Sequence, residues 1–125
     1  MKPNLVIWFE IFVQDMKRAV EFYENILQIK MHELEKPPVD ALMTFFSMEQ
    51  NIIGAGGALV KMDCMPSGNN STQVYFSCED CAVEGSRVEK SGGKIKREKM
   101  SIGEYGFIVL AIDTEGNTFG LHSLK

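Results

Sequence analysis

Hydrophobic and polar positions along this chain change period in the same order twice. Leu5-Val-Ile-Trp-Phe-Glu-Ile-Phe-Val13 is a nearly continuous apolar run, broken by Glu10, and it predicts a buried strand. Asp15 follows as a helix cap, because its carboxylate can accept from the unpaired N–H groups of a first turn. From residue 16 to residue 27 the period becomes helical. Met16, Ala19, Val20, Tyr23, Ile26 and Leu27 fall on one apolar stripe. Three short β segments are predicted after this helix, near residues 30–35, 42–48 and 57–62, with the Pro37-Pro38 pair as a loop.

The second half repeats this layout. Gln73-Val-Tyr-Phe-Ser-Cys-Glu-Asp80 matches Trp8-Phe-Glu-Ile-Phe-Val-Gln-Asp15 at an offset of 65 positions, again a strand running into a capping Asp. A weaker helix is predicted over residues 81–91; it contains Gly85 and stops at Gly92-Gly93. Strands follow near residues 94–100, 106–112 and 118–122. Asp113-Thr-Glu-Gly-Asn117 is a tight turn, since Asp, Gly and Asn supply the conformations turns demand. Met65-Pro-Ser-Gly-Asn-Asn-Ser-Thr72 is a loop between the halves. The fold class is α+β: one domain built from two βαβββ modules, residues 1–63 and 73–125, joined by a linker at 64–72.

Composition narrows the function classes. A chain of 125 residues with 45% apolar and 24% charged residues is one soluble domain with a real core. Its net charge is −4 and its basic residues are dispersed, which disfavours nucleic acid, because phosphate neutralisation needs a basic patch. No apolar run approaches the roughly 20 residues of a membrane span, so no membrane is expected. The N-terminal apolar run is not a signal core, because Glu10 interrupts it and no small-residue cleavage site follows. Three Cys, an odd number, fit free thiols in a reducing cytosol, and a cytoplasmic location is expected.

Several apparent motifs fail on context. Cys78-Glu-Asp-Cys81 ends a strand instead of opening a thioredoxin-like helix, and only Cys64 remains to complete a zinc set, so packing is the better reading. Gly54-Ala-Gly-Gly57 is followed by neither a helix nor a Lys-Ser/Thr pair. It is a turn or bulge rather than a phosphate loop.

The residues Phe9-Glu-Ile-x-Val-x-Asp15, Arg18-Ala-x-x-Phe-Tyr23, Gly56-Gly-Ala58, Ser91-Gly-Gly-Lys94, Ile102-Gly103 and Gly116-Asn-x-x-Gly-Leu-His-Ser123 resemble the vicinal oxygen chelate superfamily. These are the glyoxalase/bleomycin-resistance/dioxygenase proteins, and the resemblance is to a branch of small glyoxalase-related members. It covers nearly the whole chain. It implies two curved sheets forming an open barrel around a ligand cavity. It also implies a divalent metal held by about four His, Glu or Gln side chains on the first and last strands of each module. The first such position, seven residues before the helix-capping Asp, is Trp8, whose indole nitrogen is a donor only. Its counterpart is Gln73, a weak neutral ligand. The last strand holds Gly120 where the family carries Glu, and Gly56-Gly-Ala-Leu-Val-Lys61 has no His, Glu or Asp. No metal and no other cofactor is therefore expected.

Strand alternation puts Trp8, Glu10 and Phe12 on one face, Gln73, Tyr75 and Ser77 on another, and Thr118, Gly120 and His122 on a third. If the ligand positions mark the cavity side, all of these look inward. The expected ligand-binding set is Trp8, Glu10, Phe12, Phe46, Gln73, Tyr75, Gly120 and His122. Within it Glu10 and His122 are the candidate catalytic acid and base, Glu10 through a pKa raised by burial. Three functions stay open. The first is a metal-independent binding protein for a small, partly apolar molecule. The second is a lyase or isomerase using Glu10 and His122. The third is an accessory protein whose cavity is packed by its aromatics. A homodimer is expected in each case, since a small open barrel leaves sheet edges to cover.

Overall fold

The computed structural model describes residues 4–37, 40–49 and 52–125. Residues 1–3 of the first module and Pro38 of the Pro37-Pro38 loop lie outside them. The first module runs β1 (Trp8–Phe12), α1 (Met16–Leu27), β2 (His32–Glu33), β3 (Leu42–Phe45) and β4 (Gly56–Lys61). The second runs β5 (Tyr75–Ser77), α2 (Cys81–Gly85), β6 (Lys94–Ser101), β7 (Phe107–Ile112) and β8 (Thr118–Ser123). Each module makes a four-stranded mixed sheet, ordered β1-β4-β3-β2 and β5-β8-β7-β6. The first strand of each is parallel to the last, and the remaining pairs are antiparallel. The paired sheets are not closed into a barrel, and the α+β fold of two βαβββ modules is the one expected.

Helix α1 occupies the predicted span. Asp15 sits at an extended φ of −132° and its Oδ1 accepts from Arg18 N at 3.0 Å. Gln28 closes the helix at a left-handed φ of 55°. Ala19, Phe22, Tyr23 and Ile26 are buried, so Phe22 joins the predicted stripe and Met16, Val20 and Leu27 flank it. The second helix is shorter than expected. It spans Cys81–Gly85, capped by Asp80, and the remainder of residues 81–91 holds only a single 3-10 turn, Glu89–Ser91. Gly85 is a poor helix former. Its missing side chain also lets the chain approach Val109, whose methyls would lie 3.4 Å from a Cβ there.

The N-terminal apolar run is not a buried strand throughout. Leu5, Val6 and Ile7 are exposed, and β1 begins only at Trp8. It is an edge strand covered on one face, with Ile11 buried against α1 and Glu10 exposed opposite. Apolar content alone does not report which face finds a cover.

The modules share one core. Phe22 and Tyr23 of α1 meet Phe119 of β8 at ring distances of 5.9 and 5.6 Å, and Tyr23 also meets Phe46 and Phe76. Such edge-on and tilted contacts add to the burial of large apolar rings. Beside them, the 113–117 turn is a buried polar clasp. Asp113 Oδ2 accepts from the Tyr23 hydroxyl at 2.6 Å, and Oδ1 accepts from Glu115 N and Asn117 N. Asn117 Nδ2 donates to Phe12 O at 2.9 Å. Glu115 Oε1 accepts from Gln14 N and Asp15 N, and Oε2 from Arg18 Nε at 2.7 Å. The turn of the second module therefore closes the N-terminal end of the first module's helix, where the helix dipole favours a carboxylate.

Candidate ligand-binding cavity

The clasp places the opening strands of the two modules on either side of a cavity of about 630 Å³. Trp8, Glu10 and Phe12 line it from β1, and Gln73 and Tyr75 line it from the start of β5. Tyr23, Asn117 and Phe119 also reach it from α1 and the clasp. On β1 this face alternates with Phe9, which packs toward Phe46 and Phe76 in the shared core. The size is that of a small-molecule site, mostly apolar with a few polar groups.

Two side-chain pairs face the cavity. Trp8 Nε1 donates to Glu10 Oε2 at 3.2 Å, and the indole packs edge-on against Phe45 at 5.3 Å. Gln73 Nε2 donates to Tyr75 Oη at 3.1 Å. Trp8 stays 40% exposed and Tyr75 49%. The glycines opposite explain how such large rings lie flat on a sheet. Trp8 pairs in register with Gly56, where a Cβ would stand 3.3 Å from the indole, and Tyr75 pairs with Gly120, where a Cβ would run into the phenol ring.

The sequence-predicted residues divide. The structure brings Trp8, Glu10, Phe12, Gln73 and Tyr75 together on the cavity walls. Gly120 lies beneath the Tyr75 ring. Phe46 instead packs with Phe9, Tyr23 and Phe76. The register decides this, because Phe45 pairs with Ala58 and so shares the face of Glu10, and the next residue points the other way. His122 shares the Tyr75 face, one β repeat along, but is not on the walls. Its Nε2 lies 2.7 Å from Tyr105 O. Glu10 and His122 thus do not meet in one cavity. Glu10 is exposed rather than buried.

The polar clasp was not visible as a site in the sequence. Burial pushes the Asp113 carboxyl up, against the Tyr23 and Asn117 hydrogen bonds that pull it down. Burial also works to raise Glu115, but the Arg18 guanidinium, two backbone N–H groups and the Thr114 hydroxyl outweigh it and hold it at about 2. Both carboxylates are tied into hydrogen bonds as structural groups.

The two Cys residues of the Cys78–Cys81 pair are drawn into the protein and Cys64 is not. Cys81 is buried, Cys78 half-buried and Cys64 exposed. Burial, aided by the nearby Glu84 carboxylate, pushes the Cys78 thiol up to about 12. Among the described residues no three His, Cys, Asp or Glu side chains converge as a metal site would require, and no helix is long and apolar enough to cross a membrane.

The family model described as Glyoxalase/Bleomycin resistance protein/Dioxygenase superfamily matches residues 5–121. No curated protein matches the sequence. Among solved structures, an antibiotic binding protein, TnmS3, from Streptomyces is 22% identical over 100% of this chain and 99% of its own, with a TM-score of 0.66. The fosfomycin resistance protein FosX from Listeria monocytogenes is 19% identical over 100% of this chain and 94% of its own, with a TM-score of 0.68. A glyoxalase I mutant from Zea mays is 20% identical with a TM-score of 0.74, over 94% of this chain but 46% of the maize chain. At these identities the likeness is one of fold.

Proposed function

The chain belongs to the Glyoxalase/Bleomycin resistance protein/Dioxygenase superfamily, and we propose that it binds a small, partly apolar molecule in the cavity between β1 and β5 without a metal ion. The observation that carries this reading is the wall itself. It has the volume of a ligand site, and its first-strand positions are the hydrogen-bonded pairs Trp8–Glu10 and Gln73–Tyr75.

The superfamily's divalent metal does not fit this donor set. Trp8 offers a donor where a ligand is needed, and Gly120 offers no side chain and lies under the Tyr75 ring. One neutral amide oxygen, from Gln73, leaves three of the four usual ligands missing. An acid–base enzyme using Glu10 with His122 gains nothing from the geometry, because the two groups do not face one cavity. A packed, ligandless role is opposed by the open volume and by the exposure of Trp8 and Tyr75.

The full reading is a single domain, with modules 1–63 and 73–125 around the 64–72 linker, acting as a cytoplasmic homodimer. The free thiols support the location. The edge position of β1 and the exposure of Leu5, Val6, Ile7 and Ile53 support self-association.

Native mass spectrometry of the full chain, purified without chelator or affinity metal, tests the binding function. The expected result is a discrete small-molecule mass on the wild type that is lost in a folded Trp8→Ala/Tyr75→Ala variant. The same adduct on both proteins would reject this cavity as its site.

A further inference from the structure

The groups left open on the cavity walls are complementary to one chemical class, and we infer, resting on the binding reading above, that the ligand is a planar aromatic cation. It would lie against the faces of Trp8 and Tyr75 and carry a protonated nitrogen to Glu10.

The rings come first. Trp8 meets another ring, Phe45, only edge-on, at an interplanar angle of 77°, and Tyr75 rests on Gly120. Among the described residues neither aromatic face is covered by a stacked ring, and both side chains are more than a third exposed. Two large flat surfaces on the walls of one cavity suit a flat partner, and their π-faces attract positive charge.

The charge comes second. Among the described residues that line the cavity Glu10 is the only charged side chain; no Lys, Arg or His of that set accompanies it. An anionic ligand would find no counterion there and would be repelled by this carboxylate. A cation would find a partner already oriented, since the Trp8 N–H holds Oε2 and leaves Oε1 open among the described residues.

The hydrogen-bonding balance comes third. Gln73 spends its Nε2 on Tyr75 Oη, which leaves its carbonyl oxygen as an acceptor. Asn117 and Asn70, also on the walls, spend their amides on the protein: Asn117 through Gly68 N, Phe12 O and Asp113, Asn70 through Thr118 and Thr72 O. Beside the rings Glu10 Oε1 and the Gln73 carbonyl are open acceptors that suit N–H donors of a ligand, while the Tyr75 hydroxyl, which accepts from Gln73, keeps its own O–H to donate.

Trp8 is the only tryptophan of the chain, so its fluorescence reports from this wall. Three planar probes are titrated into the full chain by calorimetry and Trp8 quenching: proflavine, which is cationic, acridone, which is neutral, and anthracene-9-carboxylate, which is anionic. Proflavine is expected to bind about tenfold or more tighter than either other probe, from the charge-assisted contact and the aromatic faces. Glu10→Gln, on a side chain exposed in the free protein, is expected to erase that preference by bringing proflavine down to the affinity of acridone for the same variant. Equal binding of acridone and proflavine, or a Glu10→Gln variant that still prefers proflavine, overturns the charge assignment and leaves the binding function standing. Failure of all three probes while native mass spectrometry still finds a retained molecule overturns the aromatic-cation class alone. Loss of that retained molecule's dependence on Trp8 and Tyr75 is the separate result that would remove the binding reading beneath it.

Discussion

The Tyr23 hydroxyl donates to Asp113 Oδ2 at 2.6 Å, across 90 positions of sequence, and so ties helix α1 of the first module to the turn before β8 of the second. The bond is buried and sits at the edge of the aromatic core that both modules share. Tyr23 and Asn117 of the same clasp also reach the cavity between the opening strands.

Tyr23→Phe keeps the ring contacts and removes one donor from a buried carboxylate. Leaving such an acceptor short costs about 1–3 kcal/mol. The expected outcome is a lower denaturant midpoint with an unchanged slope. An unchanged midpoint would mean that the clasp does not hold the modules together.

Glu115 gives the clasp a pH dependence of definite sign. Its carboxyl is held at about 2, below its ordinary 4.5. A depressed folded value means that its stabilisation is complete above about 4.5 and is lost as pH falls toward 2. Asp113, shifted up, has the opposite sign: it weakens the fold at neutral pH and recovers as pH falls through its raised value. Comparing melting temperatures of wild type and Glu115→Gln from pH 7 to pH 2 isolates the first effect. The gap should be widest above pH 4.5 and close toward pH 2; a constant gap would count against an ionised Glu115 as the stabilising group.

Much of this architecture is legible locally, and the clasp is not. Helix α1 is readable because its stripe and its Asp15 cap lie within one stretch of chain. The faces of β1, β5 and β8 follow from period-two alternation once a face is chosen. Tyr23 and Asp113, like Arg18 and Glu115 at 97 positions apart, carry no shared local signal. Asp113-Thr-Glu-Gly-Asn117 reads as an ordinary turn because its residue types are those of any turn. Which of the adjacent Phe45 and Phe46 faces which side depends on strand register, and the pairing of Phe45 with Ala58 turns Phe46 toward the core. His122 shares the Tyr75 face, but distance along the strand keeps it off the walls.

Restoring a carboxylate at position 120 should not restore a metal site. In Gly120→Glu the new Cβ meets the Tyr75 ring, so that ring must leave its place. Overpacking of this kind costs about 1–3 kcal/mol. With Trp8 and Gln73 unchanged, zinc measured after dialysis should stay far below one ion per chain. Stoichiometric zinc in this variant would show that the missing ligand alone had kept metal out.

The thiols should separate by reactivity. Cys64 is exposed, Cys81 is buried, and the Cys78 thiol is pushed up to about 12. Since the thiolate is the nucleophile, iodoacetamide at pH 8 should give one fast adduct, mapped by peptide mass to Cys64. Fast double labelling at Cys78 and Cys81 would contradict their packing between sheet and helix.

The central claim is that the cavity holds its ligand without a metal. The most direct measurement is native mass spectrometry on one preparation before and after exhaustive dialysis against EDTA, with metal content determined on the same samples. The account predicts a small-molecule adduct that survives the chelator and metal far below one ion per chain in both samples. A stoichiometric divalent metal that leaves together with the adduct would contradict it.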